Sequence, residues 1–135
     1  MQQHMRRFEK EKKIALIAHD NKKKDLIEWA TYNKKALAKH KLVATGTTGK
    51  LIEEALDRKI TKVLSGPLGG DQQIGAMIAS GDIDMVFFFF DPMEARPHDS
   101  DVKALLRLVV AWNLPMACDR TTADFLITSK FMQEV

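Results

Sequence analysis

Titratable side chains follow several short apolar segments of this sequence, where they could act together in acid–base chemistry. Two histidines stand beside aspartates, in the pairs His19-Asp20 and His98-Asp99. A single histidine is more often a structural residue than a catalyst, but two in the same setting favour a role in proton transfer. With the carboxylates that occupy similar places, the candidates for catalysis are Asp71, His98, His19, Asp101 and Asp91.

Asp71 follows two glycines and stands at the entrance of a predicted helix. Aspartate often caps a helix there by accepting a backbone N–H. It could equally be a general base, because Gly69 and Gly70 would let a ligand come close and the helix N-terminus would hold the carboxylate ionised. Partial burial would make it a stronger base. The residues alone leave both interpretations open.

A segment rich in glycine and threonine, residues 45–49, has the composition of a phosphate-binding loop. Glycines let backbone N–H groups turn inward, threonine hydroxyls donate further hydrogen bonds, and a helix N-terminus follows. Such residues are also common in plain strand-to-helix turns. Ser65 and Gly66 would add donors and Lys23 a charge, although the lysines at 22–24 could be only a solvated helix face. The candidate anion-binding residues are therefore Lys23, Thr45, Gly46, Thr47, Thr48, Ser65 and Gly66.

Strand and helix patterns alternate five times along the chain. Short apolar runs predict strands at residues 13–18, 42–44, 63–64, 85–90 and 115–118. Helical spacing predicts helices at residues 26–37, 51–56, 72–79, 102–112 (with Asp99 or Ser100 as N-cap) and 122–127. The four phenylalanines at 87–90 should point alternately to the two faces of their strand and pack under the helices.

This alternation predicts an α/β fold. We expect a single domain with an open, mostly parallel five-stranded sheet and helices on both faces, a three-layer arrangement of the Rossmann or flavodoxin type. Ligands of such folds bind beyond the carboxyl ends of the strands, so the candidate residues should meet on one rim. The domain is expected at residues 13–135, after a charged N-terminal extension at residues 1–12.

The charge of the chain is unevenly distributed. Residues 1–41 carry twelve Lys/Arg and five Asp/Glu, a net +7, and the remaining residues carry −4, which gives the +3 of the whole chain. Such a basic face can steer a small anion, whereas the lack of interleaved aromatic residues argues against a nucleic-acid partner.

The longest apolar run, residues 85–90, is too short for a membrane helix, and Cys118 is the only cysteine. No secretory signal or metal-ligand spacing is present, so we expect a cytoplasmic protein without a metal.

Five segments taken together resemble the methylglyoxal synthase family. They are residues 17–20 (IAHD), 44–49 (ATGTTG), 65–73 (SGPLGGDQQ), 91–92 (DP) and 97–105 (PHDSDVKAL). The third and fifth are the specific ones, and the resemblance extends from about residue 13 to residue 127. It implies a lyase that converts dihydroxyacetone phosphate into methylglyoxal and inorganic phosphate, through an enediolate and elimination of phosphate, with no cofactor.

The resemblance also implies a role for each candidate residue. Asp71 would remove a proton from the hydroxymethyl carbon, and His19 and His98 would bind the substrate and polarise its carbonyl and hydroxyl oxygens. Asp91 and Asp101 would orient these groups and shift their pKa values. The anion-binding residues would hold the substrate phosphate. The family forms homohexamers and is inhibited by inorganic phosphate, so both properties are expected here.

Two features depart from the family pattern. Longer relatives carry a C-terminal tail with a cationic residue that reaches a neighbouring subunit's site, whereas this sequence stops at Val135. Cooperative inhibition through such a tail is therefore not implied. Asp119 stands where many relatives have asparagine.

Two other functions of the same fold remain as alternatives. One is a non-catalytic allosteric ligand-binding domain, as in carbamoyl phosphate synthetase, and the other is the cyclohydrolase domain of purine synthesis. An allosteric domain would account for residues 45–49 but would leave Asp71, His98 and Asp101 without a purpose.

Overall fold

The computed structural model describes residues 10–93 and 99–132, with only the backbone of residues 99–101. Within these residues a five-stranded sheet has the order β3-β2-β1-β4-β5, and every neighbouring pair is parallel. Its strands are β1 (Lys13–Ala18), β2 (Lys41–Thr45), β3 (Thr61–Val63), β4 (Met85–Phe89) and β5 (Met116–Ala117). The α/β fold with a parallel five-stranded sheet, expected from the alternating patterns, is confirmed.

Helices connect the strands and cover both faces of the sheet. They are α1 (Lys23–Tyr32), α2 (Lys34–Leu37), α3 (Gly46–Leu56), α4 (Gly70–Ala79), α5 (Asp99–Ala111) and α6 (Arg120–Ile127). Short 3-10 turns lie at Asp20–Lys22, Gly66–Leu68 and Lys130–Met132. Among the described residues, no helix combines the length and apolar character that crossing a membrane requires.

The apolar core consists of two clusters, one on each side of the sheet. Because successive side chains of a strand point to opposite faces, Phe87 and Phe89 join the cluster under α1, α3 and α6, and Phe88 joins the cluster under α4 and α5. On the first face, the ring of Phe87 meets the buried Trp29 edge-on, 4.7 Å between centroids. The interpretation of residues 87–90 as packing residues on alternate faces agrees with this arrangement.

The first predicted helix, residues 26–37, is divided in the structure. Asn33 leaves helical geometry (φ −101°, ψ 22°), and its Nδ2 donates to the carbonyl of Trp29 at 2.9 Å. Asparagine competes in this way for backbone groups, which ends α1 and lets α2 start in a new direction. Leu26 and Leu37 still reach the same apolar cluster, as their spacing predicted.

Two other helices start at least three residues earlier than the sequence predicted. Helix α3 begins at Gly46 rather than at residue 51, so the glycine- and threonine-rich segment is its first turn. Helix α5 begins at Asp99, which places both predicted caps, Asp99 and Ser100, inside the helix. Glycine, serine and aspartate are poor helix formers in isolation, so their propensities hide the first turns of helices that tertiary packing stabilises.

His40, at the end of the α2–β2 connection, is only 4% exposed and supports the start of the sheet. Its Nδ1 accepts the backbone N–H of Lys12 at 2.9 Å. Burial lowers the pKa of His40 below 6.5, and the positive charges of Lys12, Lys39 and Arg58 act in the same direction. The negative charge of Glu11 opposes this effect only in part. Protonation would remove the acceptor and add a charge beside other cations.

We therefore expect the free energy of unfolding to decrease as the pH falls below about 6.5. The neutral form is favoured in the folded state, so its stabilising effect is complete above the unfolded pKa and is lost towards the lower folded pKa. Urea unfolding of the wild type and of His40→Asn between pH 5 and 8 measures this, because asparagine can accept the same N–H without titrating. The variant should show a smaller slope with pH. Equal slopes would assign the acid sensitivity to other groups.

Asp119, the position at which many relatives have asparagine, is the N-cap of α6. Its Oδ1 accepts the backbone N–H of Thr122 at 2.8 Å, and this hydrogen bond lowers the pKa of the Asp119 carboxyl. Asparagine caps helices about as well as aspartate. We therefore expect Asp119→Ala to cost about 1 kcal/mol of unfolding free energy and Asp119→Asn only a small fraction of that. Thermal unfolding of both variants measures the difference, and equal losses would contradict the capping role.

Candidate active site

A cavity of about 200 Å³ opens at the carboxyl ends of β1, β2 and β3. Parallel strands bring their carboxyl ends to the same edge of the sheet, so residues distant in sequence meet there. The lining residues are Ile17, Ala18, His19, Asp20, Lys23, Thr45, Gly46, Thr47, Thr48, Ser65, Gly66, Pro67, Asp71 and Phe88. This set contains every residue that the sequence proposed for anion binding, and it also contains His19 and Asp71.

The first turn of α3 forms one wall of the cavity. Thr45 is its N-cap, in an extended conformation, and the helix begins at Gly46. The first N–H groups of a helix have no partner within the helix, and together with the helix dipole they favour an anion. Thr47 and Thr48 bring two hydroxyls to the same turn. The feature predicted as a loop that precedes a helix is therefore the helix N-terminus itself.

Gly46 allows this helix end to lie close to Ser65. Gly46 has a positive φ of 43°, and a Cβ built on it would lie only 2.7 Å from both Cα and Cβ of Ser65. Any other residue would be strained and would push these two walls apart. The close approach places Ser65 and Gly66, which follow β3, beside the threonines that follow β2.

Lys23 brings a positive charge to the cavity. Its Nζ donates to Oγ1 of Thr47 at 2.7 Å and forms an ion pair with Asp20 at 2.9 Å. The ammonium group is thereby held beside the N-terminus of α3, where both features attract the same negative group. Of the lysines at 22–24, Lys23 is the one that lines the cavity.

Asp71 is a buried carboxylate, only 7% exposed, in the first turn of α4. The residue before the helix is Gly69, so Asp71 is not the N-cap that the simpler interpretation of the sequence suggested. A Cβ built on Gly66 would lie 3.5 Å from Oδ1 of Asp71, so the missing side chain leaves room beside the carboxylate. At Gly70 a Cβ would overlap the carbonyl oxygen of Leu64, and only glycine fits there. Gly70 thus lets α4 start close to the end of β3.

His19 follows β1 and is held by the segment that follows β4. Its Nδ1 accepts the backbone N–H of Asp91 at 3.0 Å. A neutral imidazole whose Nδ1 accepts carries its proton on Nε2, so this contact selects one tautomer. The rings of Phe88 and Phe90 meet the imidazole edge-on, with centroids 5.4 and 6.3 Å away. His19, which lines the cavity, can therefore carry its proton as an Nε2–H donor.

Asp91 lies outside the cavity lining and contacts His19 through its backbone. Its carboxylate accepts from Nδ2 of Asn21 at 3.1 Å and from the N–H of Met93 at 2.9 Å. These two hydrogen bonds lower the pKa of Asp91, in that order of importance, and keep it ionised at neutral pH. Asp91 thus contacts the Nδ1 side of His19 and does not itself line the cavity.

Two candidates are not placed by the described residues. His98 lies outside them, and Asp101 belongs to the first turn of α5 with its side chain outside the description. Both remain predictions from the sequence. In residues 10–93 and 102–132, no three His, Cys, Asp or Glu side chains cluster as metal ligands would.

The sequence analysis missed the apolar floor of the cavity and the hydrogen bond between Asn21 and Asp91. Ile17, Ala18 and Phe88 line this floor, and of these Ile17 and Phe88 are partners in neighbouring strands that belong to the same apolar cluster. Alternation from the predicted strand ends could have placed these two on one face. No pattern in the sequence marks Asn21, because its partner, Asp91, is seventy residues away in the chain.

Comparison with known proteins gives a consistent result. Residues 25–118 match the family model described as an MGS-like domain. A methylglyoxal synthase of Leptospira interrogans serogroup Icterohaemorrhagiae serovar copenhageni is 60% identical over 118 residues, which cover 87% of this chain and 80% of that protein. A methylglyoxal synthase of Proteus mirabilis is 56% identical over 135 residues, which cover 99% and 89% of the two chains.

A solved structure extends this similarity to the fold. The crystal structure of methylglyoxal synthase from Elizabethkingia anophelis NUHP1 superimposes with a TM-score of 0.89 at 61% sequence identity. The match covers 95% of this chain and 84% of that one.

Proposed function

Because this chain belongs to the methylglyoxal synthase family, we propose that it is a lyase that converts dihydroxyacetone phosphate into methylglyoxal and inorganic phosphate. The observation that carries the proposal is the single cavity in which an anion cradle, a buried carboxylate and an imidazole meet. Each of these three elements suits one part of the reaction.

The cradle suits the phosphate group of the substrate. The proposed donors to it are the backbone N–H groups of the first turn of α3, the hydroxyls of Thr45, Thr47, Thr48 and Ser65, the Gly66 segment and the Lys23 ammonium. All of these residues line the cavity. Charged donors form the stronger hydrogen bonds to phosphate, and the helix N-terminus adds its dipole. A phosphate held at several points also keeps the adjacent C–O bond in a fixed orientation, which elimination requires.

Asp71 suits the role of general base. Its carboxylate would take a proton from the hydroxymethyl carbon, and the electrons of that C–H bond would form the enediolate. The enediolate then expels phosphate as its C–O bond breaks, and the released enol tautomerises to methylglyoxal. Burial of Asp71 at the cavity supports this role, because the carboxylate lies where a substrate in the cavity would displace water from it.

His19 suits the stabilisation of the enediolate. Its Nε2–H would donate to the oxygen on which negative charge develops, while the Asp91 N–H keeps Nδ1 in the accepting state. A neutral imidazole donor also avoids leaving a full positive charge close to Asp71. We keep His98 as a second donor to these oxygens and Asp101 as an orienting carboxylate, as the family resemblance implies.

The direct test is incubation of the purified protein with dihydroxyacetone phosphate. Methylglyoxal, trapped as a dicarbonyl adduct, and inorganic phosphate should accumulate in equal amounts, and Asp71→Asn serves as the control for contaminating enzymes. Formation of glyceraldehyde 3-phosphate alone would contradict the proposal. Binding of phosphate without turnover would instead favour the allosteric-domain alternative.

The assembly and setting expected from the family stay part of the proposal. We propose a cytoplasmic homohexamer that inorganic phosphate inhibits. The exposed apolar side chains of Leu64 and Leu68, 50% and 71% exposed next to the cavity, support a surface that a second subunit covers. Light scattering should then give a mass near six times 15.3 kDa, and the mass of a monomer would contradict the assembly.

A further inference from the structure

A closed ring of hydrogen bonds joins the segments that follow β1 and β4. His19 and Asn21, two residues apart, both reach Asp91. His19 accepts its backbone N–H at 3.0 Å, and Asn21 donates to its carboxylate at 3.1 Å. The 3-10 turn that begins after His19 sets this spacing, since the N–H of Lys22 donates to the His19 carbonyl at 2.8 Å.

Asn21, which follows β1, links Asp91, which follows β4, to the end of β1. The backbone contact between β1 and β4 reaches His19, whose N–H donates to the carbonyl of Phe89 at 3.1 Å. After this backbone contact, the hydrogen bonds Asp91–His19 and Asn21–Asp91 connect the two segments that follow β1 and β4. The N–H of Met93 also donates to Asp91, but this contact lies within the same segment and does not reach β1. Removal of the Asn21 amide would therefore leave the Asp91 peptide group less firmly oriented towards the imidazole.

On the basis of the proposed function, we propose that Asn21 is a positioning residue for His19. Through the carboxylate of Asp91 it holds the backbone N–H that keeps Nδ1 of His19 as an acceptor and Nε2 as the protonated donor. Asn21 is not among the residues that line the cavity, and its amide donates to Asp91 and not to a residue of the cradle. Its contribution should therefore appear in the chemical step and not in substrate binding.

Steady-state kinetics with dihydroxyacetone phosphate separate these two effects. Asn21→Ala should lower kcat about 10-fold and leave KM within about twofold, because misorientation of a catalytic group weakens the transition state while ground-state binding is kept. Asn21→Gln keeps an amide donor on a longer side chain at an exposed position and should recover most of kcat. Asn33→Ala is the matched control, since Asn33 makes a similar amide hydrogen bond at the far end of α1.

The state of the imidazole can be observed without any activity measurement. Long-range ¹H–¹⁵N spectra of protein labelled with ¹⁵N-histidine distinguish the two ring nitrogens, and a His19→Gln variant assigns the signals. His19 should have its proton on Nε2 in the wild type and in Asn33→Ala, and a mixture of tautomers in Asn21→Ala.

An unchanged kcat in Asn21→Ala, or a lower kcat with an unchanged His19 nitrogen pattern, would overturn the positioning role. Failure of the wild type to convert dihydroxyacetone phosphate would contradict the proposed function instead, and the spectra would still decide whether Asn21 orients His19.

Discussion

Asp71→Asn is expected to lower kcat at least about 100-fold while the protein remains folded. Asparagine has nearly the same shape and can occupy the first turn of α4, but it cannot accept the proton of the substrate. The residues proposed to hold the phosphate are unchanged in this variant, so KM should change little. The assay is steady-state kinetics with dihydroxyacetone phosphate, together with circular dichroism to compare the folded states.

Proton exchange distinguishes abstraction from later steps. In deuterated water, NMR of the recovered substrate shows whether its hydroxymethyl proton has been exchanged. Loss of both exchange and product formation in Asp71→Asn would support Asp71 as the base, and Asp25→Asn, a half-buried carboxylate of α1 away from the cavity, serves as the control. Near-normal turnover of Asp71→Asn would contradict the assignment and move the role to Asp101 or His98.

The sheet could be predicted from the sequence because its central strands are buried on both faces. Residues 14–17 of β1 are almost completely inaccessible, which demands a continuous apolar run, and the predicted bounds of this strand agree with the structure. The first turn of α3 could not be predicted in the same way. Gly46 and Gly49 are unfavourable in isolated helices, but here glycine is needed for the contacts with Ser65 and Lys62.

The candidate site could be predicted where a residue's type and its position after a strand were both informative. Lys23, Thr47, Ser65 and Asp71 line one cavity because parallel strands end at the same edge. The tautomer of His19 could not be predicted, because it depends on a backbone N–H from a segment far along the chain. The contact of Asn21 could not be predicted for the same reason, because its amide meets Asp91 only in the folded chain.

The second large effect is expected when the cradle loses the hydroxyls of Thr47 and Thr48. Thr47→Ala combined with Thr48→Ala should raise KM for dihydroxyacetone phosphate about 30-fold or more, since two hydrogen bonds to a charged phosphate contribute roughly 1.5 kcal/mol or more each, partly replaced by water. Thr47 also anchors the Lys23 ammonium, which would then be left to Asp20. The change in kcat should be smaller, because Asp71 and His19 are untouched.

Inhibition by inorganic phosphate should weaken in the same double variant by a similar factor, because substrate and inhibitor would use one cradle. Competition experiments at several phosphate concentrations give the inhibition constant next to KM. Thr31→Ala is the control, since this exposed threonine of α1 bonds only within its helix among the described contacts. If KM rises strongly while phosphate inhibits as before, phosphate binds elsewhere on the protein and the single-cradle arrangement is wrong. If both rise together, the N-terminus of α3 is the site at which the product anion competes with the substrate.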